Sequence, residues 1–248
     1  MPNWLDRTSQ LVRRAVDVIL PPACLGCDEP GHALWCPRCT RTMPPELPGS
    51  LSVGGVPIFG AFRYAPPVSE AVQRFKYGGR TDLARRLGSL MARRVARDLG
   101  PNLVVPVPLQ RRRLAARGFN QSALLARAVA RALDVACEPR ALVRKTDTPQ
   151  QAGQDRARRL ANLHGAFEVR CPSAVAFRRV LLVDDVVTTG ATVSGCIHVL
   201  RSAGADIVGV SSLCVALGAS GQKAGSGPGK IAAPEQRAPR YDHRHLHG

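Results

Sequence analysis

Apolar residues fall along this chain in two alternating patterns: short unbroken runs, and longer stretches that recur every three to four positions. The runs at 103–107, 180–183 and 205–217 read as strands covered on both faces, as parallel strands are. The stretches at 68–77, 82–99, 120–133 and 191–202 have helical periodicity, and 4–20 reads as an amphipathic helix ended by Pro21 and Pro22. Residues 56–64 predict one or two short strands around Gly60, with further strands at 136–143 and 166–169. Prolines and glycines over 42–57 mark a linker. Strand and helix in alternation predict a mainly parallel, doubly wound α/β sheet.

The most informative stretch is Arg179 to Thr192. An apolar strand runs into Asp184 and Asp185, then into Thr188, Thr189, Gly190, Ala191 and Thr192, where a helix begins. Ligands of open α/β sheets sit at that edge. The first amides of a helix lack intrahelical partners and carry the positive end of its dipole, so a phosphate can settle there beside the threonine hydroxyls. Gly190 allows close backbone approach. Carboxylates about one sugar width away can accept hydrogen bonds from a vicinal diol. A phosphorylated ribose meets both requirements. A nucleotide hydrolase would need a Gly-rich lysine loop, which is absent, and a receiver domain would place its acids near its start.

Two Cys-x-x-Cys pairs, Cys24 with Cys27 and Cys36 with Cys39, offer four thiolates to one tetrahedral Zn²⁺. Four sulfurs leave no open position, so such a site is structural; His32 stands between the pairs as a substitute donor. Cys137, Cys171, Cys196 and Cys214 lack metal spacing and read as buried small hydrophobes.

Charge adds a preference for anions. The 248 residues carry a net charge of +17, and arginine supplies nearly all of it. Such a balance suits a polyanion, whether nucleic acid or a multiply phosphorylated substrate, although GC-rich coding is a blander source. Arg111 to Arg117 follow the 103–107 strand, and guanidiniums after a sheet-edge loop can grip a diphosphate bidentately. The arginines over 82–99 read as a solvated face. No run approaches the roughly 20 apolar residues of a membrane span and no signal peptide is visible, so the expected location is cytoplasmic. Aromatics are only 4% of the chain, which argues against a platform for stacking bases.

The Arg179 to Thr192 stretch resembles the phosphoribosyl-pyrophosphate (PRPP) signature of type I phosphoribosyltransferases. Taken with the cysteine pairs, Phe75-Lys76-Tyr77, Pro106-Val107-Pro108-Leu109, Arg117-Gly118-Phe119-Asn120-Gln121 and residues 162–167, the chain resembles the ComF family, phosphoribosyltransferase-like proteins with an N-terminal zinc module associated with bacterial competence. The likeness spans about 18–217. The expected domains are an N-terminal helix with a zinc knuckle over 1–45 and a phosphoribosyltransferase-like domain over 46–217; residues 218–248 lie outside the likeness, lose all periodicity and read as a disordered tail. The likeness implies that Asp184 and Asp185 hold ribose, Thr188 to Thr192 cradle the 5′-phosphate, and Pro106 to Leu109 form the pyrophosphate loop. Arg113, Arg117 and Lys76 would join the PRPP site. Residues 144–164, with Arg144, Gln151 and Arg159, would form a hood. Gln110 stands where a histidine is common in the family, and Gln154 where the hood usually has leucine.

The resulting expectation is an enzyme in which PRPP, with Mg²⁺ on its pyrophosphate, transfers phosphoribosyl to a nitrogen acceptor. The rival is a non-catalytic protein of DNA uptake that senses PRPP or handles single-stranded DNA. In a third reading the zinc module docks a competence partner.

Overall fold

The computed structural model describes residues 21–49, 51–145 and 165–216. The expected helix at 4–20, most of the hood (including Gln151 and Arg159) and the tail lie outside the described residues. A short helix α1 (Pro37–Arg41) is capped by Cys36 and contains Cys39 of the second cysteine pair. Strands β1 (Leu51–Val53) and β2 (Val56–Arg63) lead into helices α2 (Val68–Tyr77) and α3 (Leu83–Ala92). Next come β3 (Leu103–Pro106), α4 (Arg111–Arg117), α5 (Gln121–Leu133), β4 (Ala136–Cys137) and β5 (Leu142–Arg144). The chain closes through β6 (Phe167–Val169), α6 (Pro172–Val175), β7 (Arg179–Val187), α7 (Ala191–Ser202) and β8 (Asp206–Val215).

Six strands form one sheet in the order β1-β2-β8-β7-β3-β4. All neighbours run parallel except β1 and β2. The central strand β7 explains the unbroken apolar run. Leu181 and Val183 pack with α2, α3 and α5 on one face, while Val180 and Leu182 pack with α7 on the other. Both sets are fully buried, so every position of that run must be apolar.

Several local expectations are corrected. The linker over 42–57 contains β1, because Gly54 and Gly55 both take positive φ and close a two-residue hairpin onto β2. The helix expected over 82–99 ends at Ala92; the chain turns, buries Val95 and adds only a 3₁₀ turn at Arg97–Leu99. The run expected as one strand over 136–143 divides between two sheets, with β5 pairing β6 outside the main one. The basic segment after the sheet-edge loop, to which the sequence assigned no element, is helical over Arg111–Arg117, stopped by Gly118 at φ 80°.

Connections at the sheet's centre create the site. From β3 the chain passes through α5 on one face to β4. From β7 it passes through α7 on the other face to β8. Neighbouring parallel strands whose connections leave on opposite sides open a crevice at their C-terminal ends.

Candidate functional site

That crevice has a volume of about 400 Å³. Val107, Pro108 and Leu109 reach it from the end of β3, Asp184 and Asp185 from β7, and Thr188 from the turn after β7. Thr192 enters from α7, Lys76 and Tyr77 from α2, Arg113 and Arg117 from α4, and Arg144 from β5. Pro106 stays in the ladder, paired with Val183. Thr189, Gly190 and Ala191 complete the turn without lining the cavity. Four cationic side chains therefore share the crevice with two carboxylates.

The acids differ from expectation in backbone setting. Strand β7 does not stop at Val183; pairing with β8 continues through Asp184 opposite Ser212 to Val187 opposite Val215. Ladder hydrogen bonds use the backbone, and Val186 and Val187 favour extended geometry beyond the acids. Both aspartates are consequently buried, yet both face the crevice.

Their partners distinguish them. Asp184 Oδ1 accepts from Ser122 Oγ at 3.0 Å and from the Asp185 N–H at 2.9 Å. Asp185 Oδ1 accepts from the Val186 N–H at 2.8 Å, while Oδ2 lies 2.6 Å from Lys76 Nζ. Burial, then the neighbouring Asp185 charge, pushes the Asp184 carboxyl well above the usual carboxylate range. A raised carboxyl pKa means the folded chain holds a proton that the unfolded chain has released. Stability therefore falls as pH rises from the unfolded value through the folded one. Asp184→Asn removes this cost while keeping an oxygen for Ser122. It is expected to raise stability at neutral pH by about 0.5–2 kcal/mol, the gain typical of relieving a strained functional position. Urea titrations at pH 5 and pH 8 check this, and a variant less stable than wild type at pH 8 would contradict it.

Local chemistry fixes the crevice walls. Asn120 caps α5 by accepting from the Ser122 N–H at 3.0 Å, and its Nδ2 donates to the Val107 carbonyl at 3.1 Å. One side chain thus starts the helix and holds the loop after β3. At the other wall Gly190 has φ 75°, and a Cβ there would stand 2.8 Å from Val53 Cγ2. Glycine is required by the left-handed turn and by β1 packed against it. Ser122 escaped sequence reading because it lies 62 residues from Asp184 and follows no motif spacing.

The four cysteines converge as their spacing predicts. Cys24, Cys27, Cys36 and Cys39 place their Sγ atoms within 4.8 Å of one another, and among the described residues this group contains no histidine. Soft sulfurs at that separation fit a single tetrahedral zinc, which these four would hold with no open position. Burial opposes ionisation of Cys24, but N–H groups of Cys27, Cys36 and Gly26 outweigh it and bring the thiol down to about 6. Cys39 is pushed up, chiefly by burial and then by its sulfur neighbours. Cys196 and Cys214 are buried as expected, whereas Cys171 is exposed, a correction.

Arginines on and between α2 and α3, of which Arg86 reads as solvated in the sequence, fasten this cluster to the rest of the fold. Arg74 of α2 donates to the carbonyls of Leu25, at 2.6 Å, and Gly26. Arg86 of α3 donates to those of Ala23 and Ala33 at 2.7 and 2.9 Å, and Arg80 pairs with Asp28. Leu25 enters the main core and Trp35 meets Phe62 edge-on at 5.7 Å.

Comparison with known proteins agrees with this architecture. Residues 120–231 match the family model described as phosphoribosyl transferase domain. The chain is 35% identical over 204 residues to DNA utilization protein YhgH of Escherichia coli K12, covering 80% of this chain and 85% of that protein. It is 34% identical over 157 residues to competence protein F of Haemophilus influenzae, covering 60% and 69%. An adenine phosphoribosyltransferase of Streptomyces avermitilis is 41% identical over 68 residues, 27% of this chain and 37% of that protein. Fold and site thus define a phosphoribosyltransferase-like α/β protein with an N-terminal four-cysteine cluster. Within that class the chain belongs to the ComF family, with YhgH and competence protein F.

Membership corrects the expectation of an enzyme. The relatives that align along most of the chain are named for DNA utilization and competence, whereas the adenine phosphoribosyltransferase aligns over 68 residues. A fold shared with transferases does not carry their chemistry. Among the described residues no helix is long and apolar enough to cross a membrane.

Proposed function

We propose that this chain is a non-catalytic protein of DNA uptake that senses PRPP in the crevice and handles single-stranded DNA on its arginine-rich surface. The crevice supports the first half of this reading. Asp184 and Asp185 would accept ribose hydroxyls, and Thr188 to Thr192 would hold the 5′-phosphate as in a type I PRPP site. The loop from Pro106 to Leu109, with Lys76, Arg113 and Arg117, would meet the pyrophosphate. Mg²⁺ would accompany the ligand and help neutralise its pyrophosphate, asking no dedicated carboxylate cage from the protein. Residues 144–164, through Arg144, Gln151 and Arg159, would cover the bound ligand.

The observation that carries the reading is the lining of the crevice. Lys76 sits 2.6 Å from Asp185, so one acid of the pair is neutralised from within, and Arg113, Arg117 and Arg144 line the same crevice. An acidic pair without that compensation would repel a phosphate; here the local charge favours one. The DNA half is supported by the names of the relatives and by the net charge of +17.

Fluorescence anisotropy with a labelled oligothymidylate tests the DNA half. If about four phosphates are neutralised, affinity falls roughly 50-fold between 50 and 200 mM salt, from a slope near −0.7 per phosphate on a single strand. Binding that is undetectable, or indifferent to salt, would contradict it. In parallel, PRPP with Mg²⁺ and a panel of nucleobases should release no pyrophosphate above the protein-free rate; acceptor-dependent release would refute the non-catalytic reading.

A further inference from the structure

Tyr77 is placed unlike the other large apolar side chains of the fold. Most of these are buried, and among the described residues three are exposed: Tyr77 at 73%, Leu114 at 41% and Phe177 at 95%. Of the three, Tyr77 lines the crevice. It ends α2 one residue after Lys76, so the residue that pairs with Asp185 fixes the backbone from which the ring projects.

The ring is also backed by a held cation. Arg117 Cζ stands 4.9 Å from the ring centroid, over one face. Its Nη1 donates to Gln121 Oε1 at 2.5 Å, so the guanidinium is anchored at the first turn of α5. With one face covered, 73% exposure leaves the opposite face open. Scattered exposed aromatics are ordinary on protein surfaces. This one differs in being braced by a guanidinium at the mouth of a crevice suited to phosphorylated sugar. Such a braced, wet aromatic plane beside an anion site is the arrangement on which a base attached to a bound pentose phosphate can stack.

We infer that Tyr77, braced by Arg117, is a stacking platform for one aromatic heterocycle borne on a phosphorylated pentose. The inference rests on the reading of the crevice as a pentose-phosphate site and adds the class of group that meets its rim. It also amends the argument from scarce aromatics: one correctly placed ring serves one base. The heterocycle comes either from a nucleotide within a single strand or from a free nucleotide, and the two sources share this chemistry.

The test compares two labelled single strands of equal length and charge, an oligothymidylate and its abasic counterpart, on the full chain. The platform predicts that wild type binds the base-bearing strand roughly tenfold more tightly than the abasic one. Tyr77→Ala should erase that ratio and Tyr77→Trp should keep it, the phosphate-dependent salt slope staying as in wild type. A third arm titrates thymidine 5′-monophosphate: Tyr77-dependent binding there identifies the free nucleotide as the source, and dependence confined to the oligomer identifies the strand. Equal affinity of wild type for the two strands with no Tyr77-dependent mononucleotide binding, or a strand ratio that survives Tyr77→Ala, would overturn the inference. Because PRPP carries no heterocycle, its titration against wild type decides the underlying crevice reading separately.

Discussion

Replacing Lys76 with methionine is expected to cost the folded chain about 3 kcal/mol and to lower its melting temperature by roughly 6–12 °C. Lys76 and Asp185 have side chains only 18% and 7% exposed, so their 2.6 Å contact is poorly screened. Methionine fills similar volume but supplies no charge. Asp185 would then stand buried and unpaired beside Asp184, whose carboxyl is already raised by burial and by Asp185 itself. Breaking one side of a buried pair costs more than the pair contributes, because the remaining charge keeps its desolvation penalty. The loss should deepen as pH rises, since the folded chain increasingly needs a proton that solution no longer supplies. Adding Asp184→Asn to Lys76→Met removes one of the two facing charges and should restore part of the stability. Thermal melts of the three variants and wild type at pH 6 and 8 check this. A single variant melting within 2 °C of wild type at both pH values would show that the ion pair is not holding the site together.

Disrupting the cysteine cluster is expected to have the larger effect on the N-terminal part. Structural zinc sites contribute folding energy outright, with apparent binding of about 10–16 kcal/mol in small zinc-finger peptides. Here the cluster also presents the carbonyls that Arg74 and Arg86 grip and the Leu25 side chain that enters the core. Purified chain should carry one zinc. Removing it with a chelator, or making Cys36→Ser, should lower the melting temperature by more than about 10 °C. Cys171→Ser is the control, because Cys171 is exposed and outside the cluster. Metal content by elemental analysis, with melts before and after chelation, decides the matter. A chain that purifies without zinc and melts unchanged in chelator would refute the assignment.

How much of this was legible in the sequence depends on the distance over which each feature is determined. Leu181 to Val183 announced a doubly covered strand because both faces of that strand are buried. The cysteine cluster was equally legible, since paired knuckles constrain their own geometry. Hairpin β1–β2 was lost because Gly54 and Gly55 were counted as linker residues, although adjacent glycines are also what a two-residue turn requires. Arg86 was misread for a different reason, and the role of Arg74 was missed for the same one. A helical arginine on the polar face looks solvated until the chain brings carbonyls from about 50 to 60 residues away against it. The same limit hid Ser122 and the Arg117–Tyr77 contact, which arise where α2, α4, α5 and β7 converge. Residue type at the sheet edge was readable; the company each residue keeps was not.

The activity was misjudged for a further reason. Asp184, Asp185 and the threonine turn describe a ligand shape, and a ligand shape is shared by proteins that transform the ligand and proteins that only hold it. Relatives named for DNA utilization and competence point away from the transferase reading, which the motif by itself leaves open.

The central claim is that the crevice holds a phosphorylated pentose by its acidic pair, and calorimetric titration with PRPP and Mg²⁺ tests it most directly. Wild type should bind one PRPP per chain, and Asp184→Asn, which is expected to be the more stable protein, should bind at least tenfold more weakly. No heat of binding in wild type, or equal affinity in the variant, would contradict the account.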